Sequence, residues 1–243
     1  MKNTVHYSFL TLSLLLSLNI TAQEISGNDA QENLFKIGGP DATIGVIRKF
    51  DNRYEGVKGT PFYFDLWTKG NLELVDGRRI EDLQLKYNAY EDELLMNKPR
   101  EGAIYLQKEI IKTFSLIDTK TNTEVIFVKY RHPKKETEFK FYRLIFDGKI
   151  TLFEVLKVVF EEADFHGGYS KDKRFDEFKK YSIYYYYTDS DTHPKKLKTS
   201  PSGVSKIFPN QNTEIKVYIA EQNLDCKNES DLEKVFEYYQ QMQ

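Results

Sequence analysis

The chain has 243 residues, with 35 basic against 37 acidic side chains, 40% hydrophobic and 30% charged residues, and one cysteine. Those proportions belong to a folded domain with an ordinary core, and they exclude wholesale disorder and a polytopic membrane protein. A net charge of −2 supplies no general attraction for nucleic acid. The distinctive figure is the aromatic count, 17 Tyr and 17 Phe, which favours β structure because flat rings pack well on a pleated surface.

Residues 1–22 read as a secretory signal peptide. Lys2 gives the positive end, Phe9 to Ile20 a short apolar run, and Thr21-Ala22 a small-residue cleavage context. The run is shorter than the roughly 20 residues a spanning helix needs, and no later stretch qualifies. The expectation is export to the periplasm or the periplasmic face of the outer membrane, with no transmembrane segment after cleavage. Cys226 stands far from the cleavage site and has no second cysteine to pair with, so neither lipid attachment nor an intramolecular disulfide is expected. Without a local motif it reads as an inert, partly buried thiol.

Residues 23–55 are a polar, Gly-containing lead-in with a weak apolar patch at Ile44 to Ile47 that adds at most one strand. From 56 to 199 the hydrophobic period is two, broken by turn pairs, which is the pattern of an antiparallel meander. Leu72 and Leu74 approach Asp76-Gly77, a pair suited to a tight hairpin, and Leu83, Leu85 and Tyr87 continue beyond it. Short strands follow around Leu94 to Met96, Ile104 to Leu106, Ile110 to Leu116 and Val125 to Tyr130. The clearest hairpin spans Phe139 to Phe160 about Asp147-Gly148, apolar on both faces for much of its length, as in strands covered by helices or by a second sheet. A charged loop from Glu161 to Phe175 leads into Tyr181-Ser182-Ile183-Tyr184-Tyr185-Tyr186-Tyr187, a strand with rings on both faces.

The period changes at residues 200–243. Ser200-Pro201 caps a first short helix, Ile215 to Ile219 suit a second, and Ser230 with Glu233 forms a capping box for a third carrying Leu232, Val235, Phe236 and Tyr239. Such short helices must pack on the sheet or on one another. The fold class expected is therefore α+β, mostly antiparallel β in a curved sheet or sandwich, with a small C-terminal helical subdomain.

Chemistry-bearing motifs are few. There is no G-x-S-x-G elbow, and beyond the signal peptide only His132, His166 and His193 could serve as bases. Two Asp-x-His units, Asp164/His166 and Asp191/His193, each place a carboxylate and an imidazole on one side of extended backbone, a pattern able to hold a metal ion if the two units meet. The same residues also suit polar loops. Acid runs at Glu91 to Glu93 and Glu161 to Asp164 read as solvated, as do the basic clusters at Arg131 to Lys135 and Lys195 to Lys198. In the tyrosine strand, Tyr184 and Tyr186 lie on one face and Tyr181, Tyr185 and Tyr187 on the other. One set belongs to the core; the other offers amphipathic rings to a ligand or partner, and Tyr184 and Tyr186 are taken as that contact pair.

Gly59-Thr60-Pro61-Phe62, Trp67-x-x-Gly70, the Asp76-Gly77 hairpin and Leu85-Lys86-Tyr87-Asn88, together with Ile207-Phe208-Pro209 and the Asp231 to Tyr239 region, resemble a pattern of uncharacterised exported β-rich proteins of Bacteroidota. The resemblance implies fold and export, and it brings no activity and no catalytic residues. The functional expectation is a non-catalytic cell-envelope protein that binds an envelope protein, a glycan or a lipid, in one version as a subunit of an outer-membrane-associated assembly, with no cofactor and no nucleic-acid partner. The alternative is a metal-dependent or other hydrolase built on Asp164, His166, Asp191 and His193.

Overall fold

The computed structural model describes residues 45–46, 54, 56–98, 102–132, 135–164 and 175–243; the expected signal peptide lies outside them. Among these residues eleven strands form one antiparallel sheet: β1 (Gly45–Val46), β2 (Thr68–Leu74), β3 (Arg79–Asn88), β4 (Glu93–Lys98), β5 (Gly102–Leu106), β6 (Ile111–Ile117), β7 (Glu124–His132), β8 (Lys135–Phe146), β9 (Thr151–Glu161), β10 (Glu177–Tyr187) and β11 (Lys195–Lys196). Their spatial order is β1-β5-β4-β3-β2-β6-β7-β8-β9-β10-β11. Three helices follow, α1 (Pro201–Ser205), α2 (Asn212–Glu221) and α3 (Glu229–Gln241). The fold is mostly antiparallel β with a small C-terminal helical part.

The alternation seen in the sequence becomes the two faces of this sheet. Leu72, Leu74, Leu83, Leu85, Phe114 and Phe127 point to the inner face and form the main core. Its centre is a ring cluster in which Phe114 and Phe127 stack at 4.6 Å while Phe141 meets Phe114 edge-on at 4.9 Å. Helices α1 to α3 cover the inner face at the other end, where Leu152, Tyr184, Val204, Phe208, Leu232 and Phe236 make a second core. Ser200 caps α1 by accepting from the Gly203 N–H. Helix α3 starts earlier than the capping-box pattern predicts: Asn228 is its cap and accepts from the Asp231 N–H, while Ser230 donates to the Asn228 side chain. Asn is as good a cap as Ser, and the earlier start places Glu229 and Asp231 in the first turn, where acidic side chains favour the helix dipole.

Two departures from a plain meander position everything else. First, β8 and β9 pair only from Arg143 to Phe146 against Leu152 to Glu154, across an irregularity after Leu144. Beyond that point β9 stays with β10, and Val158 and Phe178 of this arm join Phe141 of β8 in the same main core. The sheet therefore forks, and the β9–β10 arm folds over the inner face. Second, residues 58–63 cross the gap. The Phe178 N–H donates to the Lys58 carbonyl at 2.9 Å and the Tyr63 N–H to the Tyr87 carbonyl at 2.8 Å, so this strap ties β10 to β3. Tyr54 and Tyr90 close over Phe178 at 4.9 and 5.4 Å between ring centroids.

The strap passes β10 so closely that a Cβ at Gly59, which has φ +77, would stand 2.8 Å from the Phe178 carbonyl oxygen. Gly56 also has positive φ, +86, but open space around it. Gly56→Ala is expected to cost about 1 kcal/mol, the ordinary strain of a left-handed alanine, and Gly59→Ala at least about twice that. Urea denaturation of the two variants measures the difference.

Candidate functional site

At the fork the inner face carries charge where apolar side chains would be expected. Arg143 on β8 stands in the inward row with Phe141, and Glu154 on β9 is its direct cross-strand partner. The Arg143 Nε donates to Glu154 Oε2 at 2.6 Å, and its Nη2 donates to Glu229 at the start of α3. Ser182 on β10 donates to Glu154 Oε1, and Tyr63 of the strap donates to Oε2 at 3.4 Å. Glu154 is only 4% exposed. Burial works against the charge of Arg143, but the carboxylates of Glu154 and Glu229 more than offset it and hold the guanidinium firmly protonated. Burial, then the Glu154 charge, raises the Tyr63 phenol above its usual range. Both oxygens of Glu154 already accept hydrogen bonds and arginine does not release its proton, so the cluster has no idle base. Its chemistry is that of a clamp joining β8, β9, β10, the strap and α3.

The residues singled out from sequence fall in other places. Tyr184 is 6% exposed and belongs to the core beneath the helices, and Tyr186 packs beside it. The face with Tyr184 and Tyr186 is the packed one because the C-terminal helices take it. The opposite, outer face of β7 to β10 holds a third cluster of Tyr142, Phe153 and Val155, edged by Tyr130, Leu144, Tyr185 and Tyr187. Its rings interlock, with Tyr130 and Tyr187 at 4.9 Å and Tyr142 and Tyr185 at 5.3 Å. Tyr142 is 0% exposed and its hydroxyl has no hydrogen-bond partner among the described residues. Burial raises the phenols of Tyr130, Tyr142 and Tyr185 alike, so these rings carry no charge at neutral pH. Two residues along β10, on the same outer row as Ile183 and Tyr185, Tyr181 stands out at 49% exposed.

The Asp-x-His units are not brought together. Asp164 follows the Glu161 end of the β9–β10 hairpin and Asp191 follows the Tyr187 end, so the length of β10 separates them, on the order of 30 Å at about 3.3 Å per residue. Asp164 and Asp191 do not share an ion. His166 lies outside the described residues. Asp191 is committed to a turn, accepting from the Thr188 N–H at 3.0 Å and pairing with Lys195, and His193 Nδ1 meets the Thr192 hydroxyl at 3.0 Å. Among the described residues no group of three metal-ligating side chains assembles. Cys226 is buried, and burial raises its thiol, which removes the thiolate a nucleophile needs.

A cleft of about 450 Å³ opens at one mouth of the inner face, between the β3–β4 turn, the single 3₁₀ turn Lys108–Ile110 and residues 137–139 of β8. A smaller one of about 280 Å³ lies on the outer face between Asn71 of β2 and Ser115 of β6. No protein-family model, curated protein or solved structure matches the chain. No helix among the described residues is long and apolar enough to cross a membrane.

Glu154→Leu leaves Arg143 with one carboxylate instead of two in a buried site, and is expected to cost about 3 kcal/mol. The double variant Arg143→Met/Glu154→Leu removes both charges and is expected to recover part of that loss; a urea denaturation cycle of the four proteins measures the coupling. Lys195 first, then Thr188, holds the Asp191 carboxyl below its usual range. A depressed folded-state pKa stabilises above the unfolded value, about 3.9, and the gain fades as pH falls through the folded value. The stability gap between wild type and Asp191→Asn is therefore expected to be present at pH 7 and to close below about pH 3.9, as read by thermal unfolding across pH.

Proposed function

We propose that the protein is a non-catalytic interaction protein of the cell envelope, binding through the outer tyrosine face of β7 to β10. The observation that carries this reading is the outward row of β10, with Tyr185 and Tyr187 in the outer ring cluster and Tyr181 exposed, which the helices leave uncovered because they pack on Tyr184 and Tyr186 instead. Tyrosine suits such a role because each ring offers apolar area at a low conformational cost and keeps a polar tip. Large exposed apolar side chains set within a continuous aromatic patch mark contact surfaces more often than isolated ones do. The apolar run from Phe9 to Ile20 and the small residues before Gln23 support an envelope location. The clamp at Arg143 and Glu154 supports a non-catalytic role, since it saturates the most buried acid among the described residues.

A photo-reactive phenylalanine analogue placed at position 181 tests the reading in cells. Adducts in the envelope fraction are expected from position 181 and not from position 217, where Val217 is 48% exposed on α2. The mass of the adduct distinguishes a protein from a glycan or a lipid. Equal labelling from both positions, or none from position 181, overturns the reading.

A further inference from the structure

The edge of β10 that faces away from β9 is covered at its two ends and open between them. At one end the strap bonds to it, the Phe178 N–H donating to the Lys58 carbonyl at 2.9 Å; at the other the Tyr184 carbonyl accepts from the Leu197 N–H at 2.8 Å, one residue past β11. Alternate residues of a strand turn their N–H and C=O to opposite neighbours, and β9 and β10 keep one unbroken register from Glu177 to Tyr187. Phe178 and Tyr184 lie an even number of residues apart, so the two bonds agree in phase. Lys180 and Ser182 fall on that phase between them and turn their backbone groups the same way. Among the described residues nothing pairs with them there, and Lys180, Tyr181 and Ser182 are consecutive exposed residues in the middle of the strand. Exposed pairing edges are usually blocked; here the blocking strand stops short, because β11 is two residues long and the chain turns into α1 at Pro201. The opening from Lys179 to Ile183 is about 17 Å long at about 3.3 Å per residue.

We infer that this opening takes a short, extended, acidic segment of a partner protein, added as a strand between the strap and β11. The inference rests on the reading that β10 meets a partner around Tyr181, and it adds the partner's class and the way it binds. Charge selects the class. Lys157, directly across the ladder from Tyr181, and Lys196 and Lys198 at the β11 end are exposed and have no carboxylate partner among the described residues. Lys180 and Lys58 pair with Asp65 and Glu177 at 3.5 and 3.4 Å, surface ion pairs of a kind that contributes little and that an incoming carboxylate can replace. A second copy of β10 laid on this edge would set the same lysines against one another, which disfavours self-pairing. The Ser182 hydroxyl is held on Glu154 of the clamp, so the edge is fixed before a partner arrives. Backbone pairing supplies the affinity of strand addition and alternate side chains supply the choice of sequence.

The probe is a fluorescent pentapeptide alternating glutamate with threonine and valine, compared with its lysine-for-glutamate counterpart. Fluorescence anisotropy is expected to show binding of the acidic peptide alone, weakening with salt. Hydrogen exchange is expected to show new protection at the amides of Lys180 and Ser182, while those of Tyr181 and Ile183, already in the ladder to β9, stay as they were. Two further versions of the acidic peptide carry N-methyl groups on alternate residues, one version in each phase, and test the pairing with no change to the protein. Strand addition requires one phase to abolish binding and the other to keep it. Lys196→Glu/Lys198→Glu reverses two exposed charges and is expected to weaken binding about tenfold. No binding of the acidic peptide at millimolar concentration, equal binding of the basic one, the same response to both N-methylated versions, or full affinity in the folded charge-reversal variant each overturns the inference. So does protection confined to other amides, or protection of Lys180 and Ser182 that rises with protein concentration without peptide, the mark of a second copy. Adducts from position 181 alongside any of these results leave the tyrosine face standing and overturn the edge alone; absence of adducts overturns the reading of the face whatever the peptide does.

Discussion

The ion pair between Arg143 and Glu154 is the constraint on which the rest of the molecule depends. It is the last cross-strand contact before β8 and β9 part company, and it occupies a place where two leucines would have served packing as well. A buried pair of this kind gains little over apolar side chains in net stability, because both charges surrender their water. What it adds is direction. A guanidinium presents donors in a fixed plane, and here that plane reaches a carboxylate on β9 and another at the head of α3, while the remaining lone pairs of Glu154 select Ser182 and Tyr63. A leucine pair would let the helices and the strap slide; the clamp allows one seating.

Once the fork is set, the division of the β10 side chains follows from geometry alone. The arm of β9 and β10 must turn its inner side to the core, so its tyrosines divide, Tyr184 and Tyr186 beneath the helices and Tyr181, Tyr185 and Tyr187 outward. Edge strands are blunted in ordinary ways: β1 and β11 are two residues long, and β11 consists of two lysines, both devices that discourage unplanned pairing.

Much of this fold was legible in the residue pattern. The alternation around Asp76-Gly77 and Asp147-Gly148 placed four strands, the shift of period after Ser200 placed the helices, and the apolar character of Phe139 to Phe160 anticipated the helices that cover one face of this hairpin. The fork was not legible. With a regular two-residue turn at Asp147-Gly148, Arg143 would face position 152; the longer connection that pairs Phe146 with Leu152 carries the register past that, and the irregularity after Leu144 then sets Arg143 opposite Glu154 instead of Val155. The charges themselves were visible, a lone arginine between Phe141 and Ile145 and a lone glutamate between Leu152 and Val158, and opposite charges within two apolar runs of one hairpin are the signal that could have found the pair. Nor does alternation say which face of a strand the helices will take, and for that reason Tyr184 and Tyr186 read as equivalent to Tyr185 and Tyr187. The Asp-x-His units failed for a related reason: a hairpin with long arms carries residues near in sequence to opposite ends of the molecule.

The strap has a kinetic consequence. Lys58 meets Glu177, so the bond that closes the sheet joins residues far apart in the chain, and the clamp draws in Glu229 from farther still. Proteins dominated by such distant pairings fold slowly, because the loop must be closed before the contact repays it. A chain that threads out of a ribosome or through a translocase from its N-terminus would have the strap waiting, unpaired, until β10 arrives. Order in time thus runs opposite to order in sequence: the strap is synthesised well before β10 and finds its place only after it.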